Sequence, residues 1–262
     1  MNDMVLQKLE GGLLIITMNR PERKNALNPE MVAGLVEAAR RAADDPEVRA
    51  VLFKGAGGSF CVGGDVKSMA AGRAPMTFEE KQVALRKGME VSRILHQMSK
   101  PVVAQLDGAA AGAGLSIALS CDLRVASESC KITTAFAKVG FSGDYGGTYF
   151  LTKMLGTAKA RELYLLSPVL TAKEAFDLGM VTKVVPDSEI DTAAHELALS
   201  LAQGPSIAYG YIKRNINNAE TMSLEACFDG EAIHHSRAGE TADHKEAAKA
   251  FVEKRKPSFQ GA

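Results

Sequence analysis

A chain of 262 residues is long enough to bury a substantial core as one large domain or as a domain with an appendage. Lysine plus arginine number 31, as do aspartate plus glutamate. No net field therefore draws the chain to nucleic acid or to an anionic membrane surface, and any binding must be local. The opening residues MNDMVLQKLEGGLLIITMNRPE carry an apolar run of only four after Gly12, with no basic flank and no small-residue cleavage site. No stretch approaches the ~20 apolar residues that span a bilayer, so the expectation is a soluble, cytoplasmic protein without a membrane partner. Cys61, Cys121, Cys130 and Cys227 lack zinc-ligand spacing and read as reduced core residues. The adjacent His234 and His235 belong to no HExxH cluster, so no metal site is expected.

In chain order, strand-like runs fall at Gly12–Asn19, Arg49–Gly57, Pro101–Gly108, Asp122–Ser127, Cys130–Ala135 and Met180–Pro186. Helical patterns at Asn28–Asp45 and Phe78–Ser99 lie between the first three, with apolar residues returning at three and four. Strands alternating with helices predict right-handed crossover units in an α/β fold. Asn28 before Pro29 gives the first helix an N-cap and a proline at its first position. The loop SMAAGRAPMTFEE, Ser68 to Glu80, reads either as a lid or as a plain connector. After Pro186 the strand signals stop. Four helical patterns follow, at Asp191–Gly204, Ser206–Glu220, Ser223–Gly239 and Ala242–Arg255. Their apolar faces need cover from the core or from another subunit. We therefore divide the chain into a core, residues 1–186, and a C-terminal helical region, 187–262.

Three segments can carry chemistry. KGAGGSFCVGGDVKSM and DGAAAGAGLSIALSCD each follow a strand. Where small residues open a helix after a strand, unpaired N–H groups can point at an anion or a developing oxyanion; tight turns and close packing are the competing explanation. GAAAGAG does not have GxGxxG spacing, so it does not read as a dinucleotide fingerprint. The third segment, VGFSGDYGGT, sets Asp144 among four glycines. An aspartate there either caps the helix that follows or serves as a chemical group.

The order of NRPERKNALNPEM, GSFCVGGDVKSM, DGAAAGAGLSIALSCDLRVAS, GDYGGTYFL, LTAKEAFDLGMVTKVVP and AFVEKRKPSFQG resembles the signature segments of the enoyl-CoA hydratase/isomerase family, the crotonases, over essentially the whole chain. The resemblance implies a crotonase-like spiral of ββα units with a C-terminal helical oligomerisation region that assembles trimers or dimers of trimers. It implies an acyl-CoA thioester substrate and no separate cofactor, coenzyme A being part of the substrate. By motif position, the backbone N–H groups of Gly64 and Ala113 would hold the thioester carbonyl as it becomes enolate-like. Arg23, Lys24 and Ala26 would lie along the nucleotide and pantetheine with Gly63, Asp65 and Val66. Phe251 and Lys254 resemble positions that touch coenzyme A, sometimes from a neighbouring subunit.

The departures from the family pattern set the expected reaction. Family hydratases carry two glutamates, at the positions held here by Ser116 and Phe136, and neither replacement is a general base at neutral pH. GFSGDYGG instead resembles the loop of the ring-1,2-epoxyphenylacetyl-CoA isomerases, leaving Asp144 as the one acid/base. The resemblance therefore implies double-bond isomerisation with Asp144 shuttling the proton, in aromatic or fatty acyl-CoA breakdown. Hydration by Asp144 alone and non-catalytic acyl-CoA binding are the alternatives. Phe136, Phe141 and Tyr145 are expected to line the acyl pocket and to desolvate Asp144. Asp144 also holds the position of the nucleophile of the 4-chlorobenzoyl-CoA dehalogenases, but Met89 stands where those enzymes have histidine and the chain has no tryptophan.

Overall fold

The computed structural model describes residues 3–65 and 76–262. Most of the loop from Ser68 to Glu80, and Val66, lie outside the described residues. A six-stranded sheet runs in the order β1 (Val5–Glu10), β2 (Leu13–Met18), β3 (Ala50–Gly55), β4 (Val102–Leu106), β6 (Leu123–Ser127), β9 (Lys183–Val185). β1 and β2 pair antiparallel, and the remaining neighbours are parallel. A smaller sheet orders β5 (Ala109–Ala111), β7 (Lys131–Thr133) and β8 (Leu170–Thr171).

Parallel strands buried on both faces need an apolar residue at every position, and β3 supplies that run. Val51 and Phe53 enter the larger core with Leu14, Ile16 and Met18 of β2. Ala50 and Leu52 enter the other, with Leu13, Val103 and Val125. On the first face lies α1 (Pro29–Asp44), burying Met31, Leu35, Ala38, Ala39 and Ala42 at helical spacing. Its start follows the sequence signal, since the Asn28 side chain accepts the Met31 N–H at 2.8 Å with Pro29 as first helical residue. The second face is covered by α7 (Ile190–Ala202), whose Ile190, Ala194, Ala198 and Ala202 form a small-residue stripe against the sheet.

Several elements depart from the sequence reading. Phe78–Ser99 is two helices, α2 (Phe78–Gly88) and α3 (Glu90–Gln97). They part where Gly88 lets Val32 and the Tyr145 hydroxyl approach closely. β1, β5 and β8 carried no strand signal: β1 alternates with charges because it is an edge strand with largely exposed side chains, and β5 is three alanines. Between them the chain also forms α4 (Ala113–Leu119), α5 (Gly147–Leu166, interrupted at Gly156) and α6 (Ala172–Asp177).

The C-terminal region continues with α8 (Ser206–Ala219), α9 (Leu224–Gly239) and α10 (Ala242–Val252). The side chain of Lys213 ties α8 to the core. It is 8 % exposed and donates to Leu95 O at 2.8 Å, Lys100 O at 3.2 Å and Asp122 Oδ2 at 2.7 Å. Among the described residues no helix is long and apolar enough to cross a membrane. Lys213→Ala is expected to cost roughly 2–4 kcal/mol in denaturant unfolding, less than a fully buried pair because Asp122 keeps some solvent, and to speed amide exchange in α8.

Candidate active site

The site begins with the chain that leaves β3. Asn25, fully buried, donates from Nδ2 to Ala56 O at 2.9 Å and Ser59 O at 2.7 Å, and its Oδ1 accepts the Arg20 N–H at 2.9 Å. The segment so fixed lies between two backbone partners. On one side Cys61 N–H donates to Ala109 O and Ala111 N–H to Cys61 O, at 3.0 and 2.9 Å. On the other, Leu27 N–H donates to Gly63 O at 2.7 Å and Asp65 N–H to Leu27 O at 3.2 Å. Because alternate peptide groups of an extended chain face opposite ways, this pairing uses Gly63 O and Asp65 N–H and leaves the Gly64 N–H pointing away.

The second donor comes from the start of α4. Gly112 sits in a left-handed turn (φ 53°), gives its N–H to Thr133 O at 3.1 Å, and leaves Ala113 as the first helical residue. The first N–H groups of a helix have no intrahelical acceptor. Among the described residues neither Gly64 N–H nor Ala113 N–H has a hydrogen-bond partner. The two segments touch. A Cβ on Gly63 (φ 87°) would come within 2.9 Å of Ala111 O and 3.2 Å of Ala113 N, and one on Gly114 within 2.4 Å of Cys61 O. Only glycine allows this approach.

Asp144 faces the same cleft, a cavity of ≈ 290 Å³ lined by Gly63, Gly64, Ala113, Phe136, Phe141 and Asp144 among others. It does not cap α5. Gly146 (φ 79°) holds the N-cap position without a side-chain bond, and Asp144 contributes only its backbone oxygen, accepting the Gly147 N–H at 3.1 Å. Its Oδ1 is buried and has no hydrogen-bond partner among the described residues. Burial without compensating charge pushes the carboxyl from 3.8 up to about 6. Beneath the loop, Tyr164 stacks on Phe136 with ring centroids 5.8 Å apart and planes 2° from parallel. A Cβ on Gly147 would meet both the Tyr164 hydroxyl and Ser116 Oγ, so Tyr164 and Ser116 form the floor under residues 143–147.

The other expected residues divide. Phe136, 6 % exposed, and Phe141, 58 % exposed, line the cleft with Gly63. Tyr145 does not. It is buried and lines a second cavity, with Ser92, His96 and Phe150. Asp65 also turns inward, its carboxylate paired with Arg20 at 2.8 Å, and it holds the loop rather than lining the cleft. Ala26 is buried and gives its carbonyl to Arg20, whereas Arg23 and Lys24 are exposed and form no ion pair among the described residues. Ser116 is buried and donates to Gly112 O at 3.3 Å. Phe251, 85 % exposed, and Lys254 do not line the cleft of their own chain.

The reading from sequence missed Val62, Leu85, Ala135 and Val139 on the cleft wall. Leu85 carried only the helical spacing of an apolar residue, and the fold leaves it 43 % exposed on α2. Tyr164 carried none, since only the fold brings it under the 143–147 loop. Among the described residues no group of three or more histidine, cysteine or acidic side chains is placed to hold a metal.

The architecture, a mostly parallel sheet with a small second sheet and a helical C-terminal region, is the crotonase fold. The profile of the enoyl-CoA hydratase/isomerase family matches residues 8–262. The chain is 38 % identical to the 1,2-epoxyphenylacetyl-CoA isomerase of Escherichia coli K12, with 100 % of each chain covered. It is 33 % identical to the short-chain-enoyl-CoA hydratase of Clostridium acetobutylicum, covering 98 % of this chain and 97 % of that one. The crystal structure of an enoyl-CoA hydratase from Polaromonas sp. JS666 superposes with a TM-score of 0.92 at 33 % identity, covering 98 % and 99 %. The protein belongs to the enoyl-CoA hydratase/isomerase family.

A carboxyl whose folded pKa is raised favours the folded state only while protonated. Native stability is therefore lost as pH climbs from the unfolded value of 3.8 to about 6. Asp144→Asn removes that loss. It is expected to stabilise the protein by ~1–3 kcal/mol at pH 8 and by ~1 kcal/mol less at pH 5, read from denaturant midpoints at the two pH values.

Proposed function

We propose that the protein is an acyl-CoA double-bond isomerase. The observation that carries this reading is Asp144, buried on one oxygen and without a partner there, in a cleft that also holds two unused backbone donors. The Gly64 and Ala113 N–H groups receive the thioester oxygen and stabilise the charge that develops when a proton leaves the neighbouring carbon. Pre-organised donors of this kind are worth about 2.7–4 kcal/mol each. Asp144, ionised above about pH 6, takes a proton from C2 of a 3-enoyl thioester. The double bond moves from C3–C4 to C2–C3, and the same proton returns to C4. A carboxylate with a raised pKa suits both halves of this transfer.

The replacement of both hydratase glutamates by Ser116 and Phe136 leaves Asp144 as the one carboxylate among the described residues of the cleft lining, which favours isomerisation over hydration. Phe136 and Phe141 on the wall, and the likeness to a 1,2-epoxyphenylacetyl-CoA isomerase, favour a ring-derived acyl group. The exposed Arg23 and Lys24 are assigned to the coenzyme A phosphates. Phe251 and Lys254 would reach coenzyme A from a neighbouring subunit of a trimer or of a dimer of trimers. The exposed apolar residues Leu165, Leu166 and Val169 are in keeping with such an assembly.

A panel of 3-enoyl-, 2-enoyl- and phenylacetyl-type CoA thioesters tests the reading. The wild type is expected to shift the double bond of at least one 3-enoyl member, and Asp144→Asn to lose ~10³-fold or more in kcat. Full activity in a folded Asp144→Asn variant would refute the proton-shuttle role. Gly63→Ala, which forces the two donor segments apart, is expected to lower kcat by ~10²-fold or more with a folded protein by circular dichroism.

A further inference from the structure

Neighbouring side chains in the 144–146 turn face different cavities. Asp144 lines the cleft, whereas Tyr145 and Gly146 line a second cavity of ≈ 570 Å³ bounded by α3, the start of α5 and α8. Among the described residues the two cavities share no lining residue. They diverge at Tyr145, whose backbone is left-handed (φ 51°), a strained conformation for a bulky residue. The Tyr145 ring is 5 % exposed, and its hydroxyl lies 2.9 Å from where a Cβ on Gly88 would stand. Burial raises the phenol's pKa and the charge of Asp144 adds to the rise, while Tyr145 borders the far cavity.

The far cavity sets polar groups among apolar ones. His96 and Arg214 line it, the Tyr149 hydroxyl donates to Glu220, and Asn217 Nδ2 donates to His96 O at 3.0 Å. Ser92 Oγ, on its wall, is buried and has no hydrogen-bond partner among the described residues. A cavity of this size with such partners is roomy and polar enough for ordered water. Tyr145, which borders this cavity, directly follows Asp144, which lines the cleft.

We propose that Tyr145 is a specificity-determining partition that keeps this water from the reacting carbons, so that Asp144 returns its proton to carbon. The inference rests on the isomerase reading. Without the partition, the 2-enoyl thioester would be hydrated. A water O–H bond breaks, a C–O bond forms at C3, the C2–C3 π bond is lost, and Asp144 passes the water's proton to C2, with no further reagent.

The test uses wild type, Tyr145→Phe and Tyr145→Ala with 3-enoyl and 2-enoyl thioesters in ¹⁸O-labelled water. It reads the ratio of labelled 3-hydroxyacyl product to bond-shifted product. Tyr145→Phe keeps the ring and is expected to match the wild type, and Tyr145→Ala to raise the ratio ~10-fold or more. Should Tyr145→Ala not fold, Tyr145→Leu gives the same readout with a smaller opening and an expected rise in the same direction. A wild type that isomerises, with an unchanged ratio in the folded opened variant, overturns the partition alone. A wild type that hydrates without shifting the bond overturns the isomerase reading and the partition together.

Discussion

The site depends on how the chain from Ser59 to Asp65 is held. It is gripped by Leu27 on one edge and by Cys61 pairing with β5 on the other, with Asn25 closing the turn behind it. That double pairing consumes alternate peptide groups and leaves Gly64 N–H over. The same contact sets Gly63 against Ala113 N, so the two unused donors are brought together by the backbone. Side chains brace it: Cys61 Sγ accepts the Gly63 N–H at 3.4 Å, and the Arg20–Asp65 pair holds the end of the segment. The arrangement is also intolerant of a Cβ at Gly63 or Gly114.

Asp144 adds the opposite kind of element. Its carboxyl is deprived of partners, and its raised pKa comes from desolvation alone. Such a group costs stability when ionised, and proteins keep unpaired buried charge mainly where it acts. The floor beneath it is built from Tyr164, Phe136 and Ser116. Tyr145, next in the chain, borders the second cavity.

Much of this was legible from residue order. The strand and helix alternation, the Asn28–Pro29 helix start and the two glycine-rich turns are local signals, and each was found in place. Gly63, Gly64 and Ala113 were placed by the resemblance of their segments to the family's motifs, and Asp144 drew notice as one carboxylate among four glycines. What could not be read is long-range or conformational. A left-handed backbone at Tyr145 reverses the direction its side chain takes, and nothing in DYGG announces it. Asp65 looks like a ligand-facing residue until Arg20 is seen against it. β1 and β5 escaped notice because an edge strand needs no apolar alternation and three alanines carry little β propensity.

The central claim is that one carbonyl oxygen is shared by the two free amides while Asp144 faces the carbons beyond it. A crystal structure with a non-hydrolysable acyl-CoA thioether or ketone analogue tests this most directly. The account predicts the carbonyl oxygen of a ketone analogue about 2.7–3.1 Å from both Gly64 N and Ala113 N, with the Asp144 carboxylate against the C2–C4 stretch of the acyl group. A carbonyl held by other donors, or an Asp144 carboxylate turned away from the acyl carbons, would contradict it.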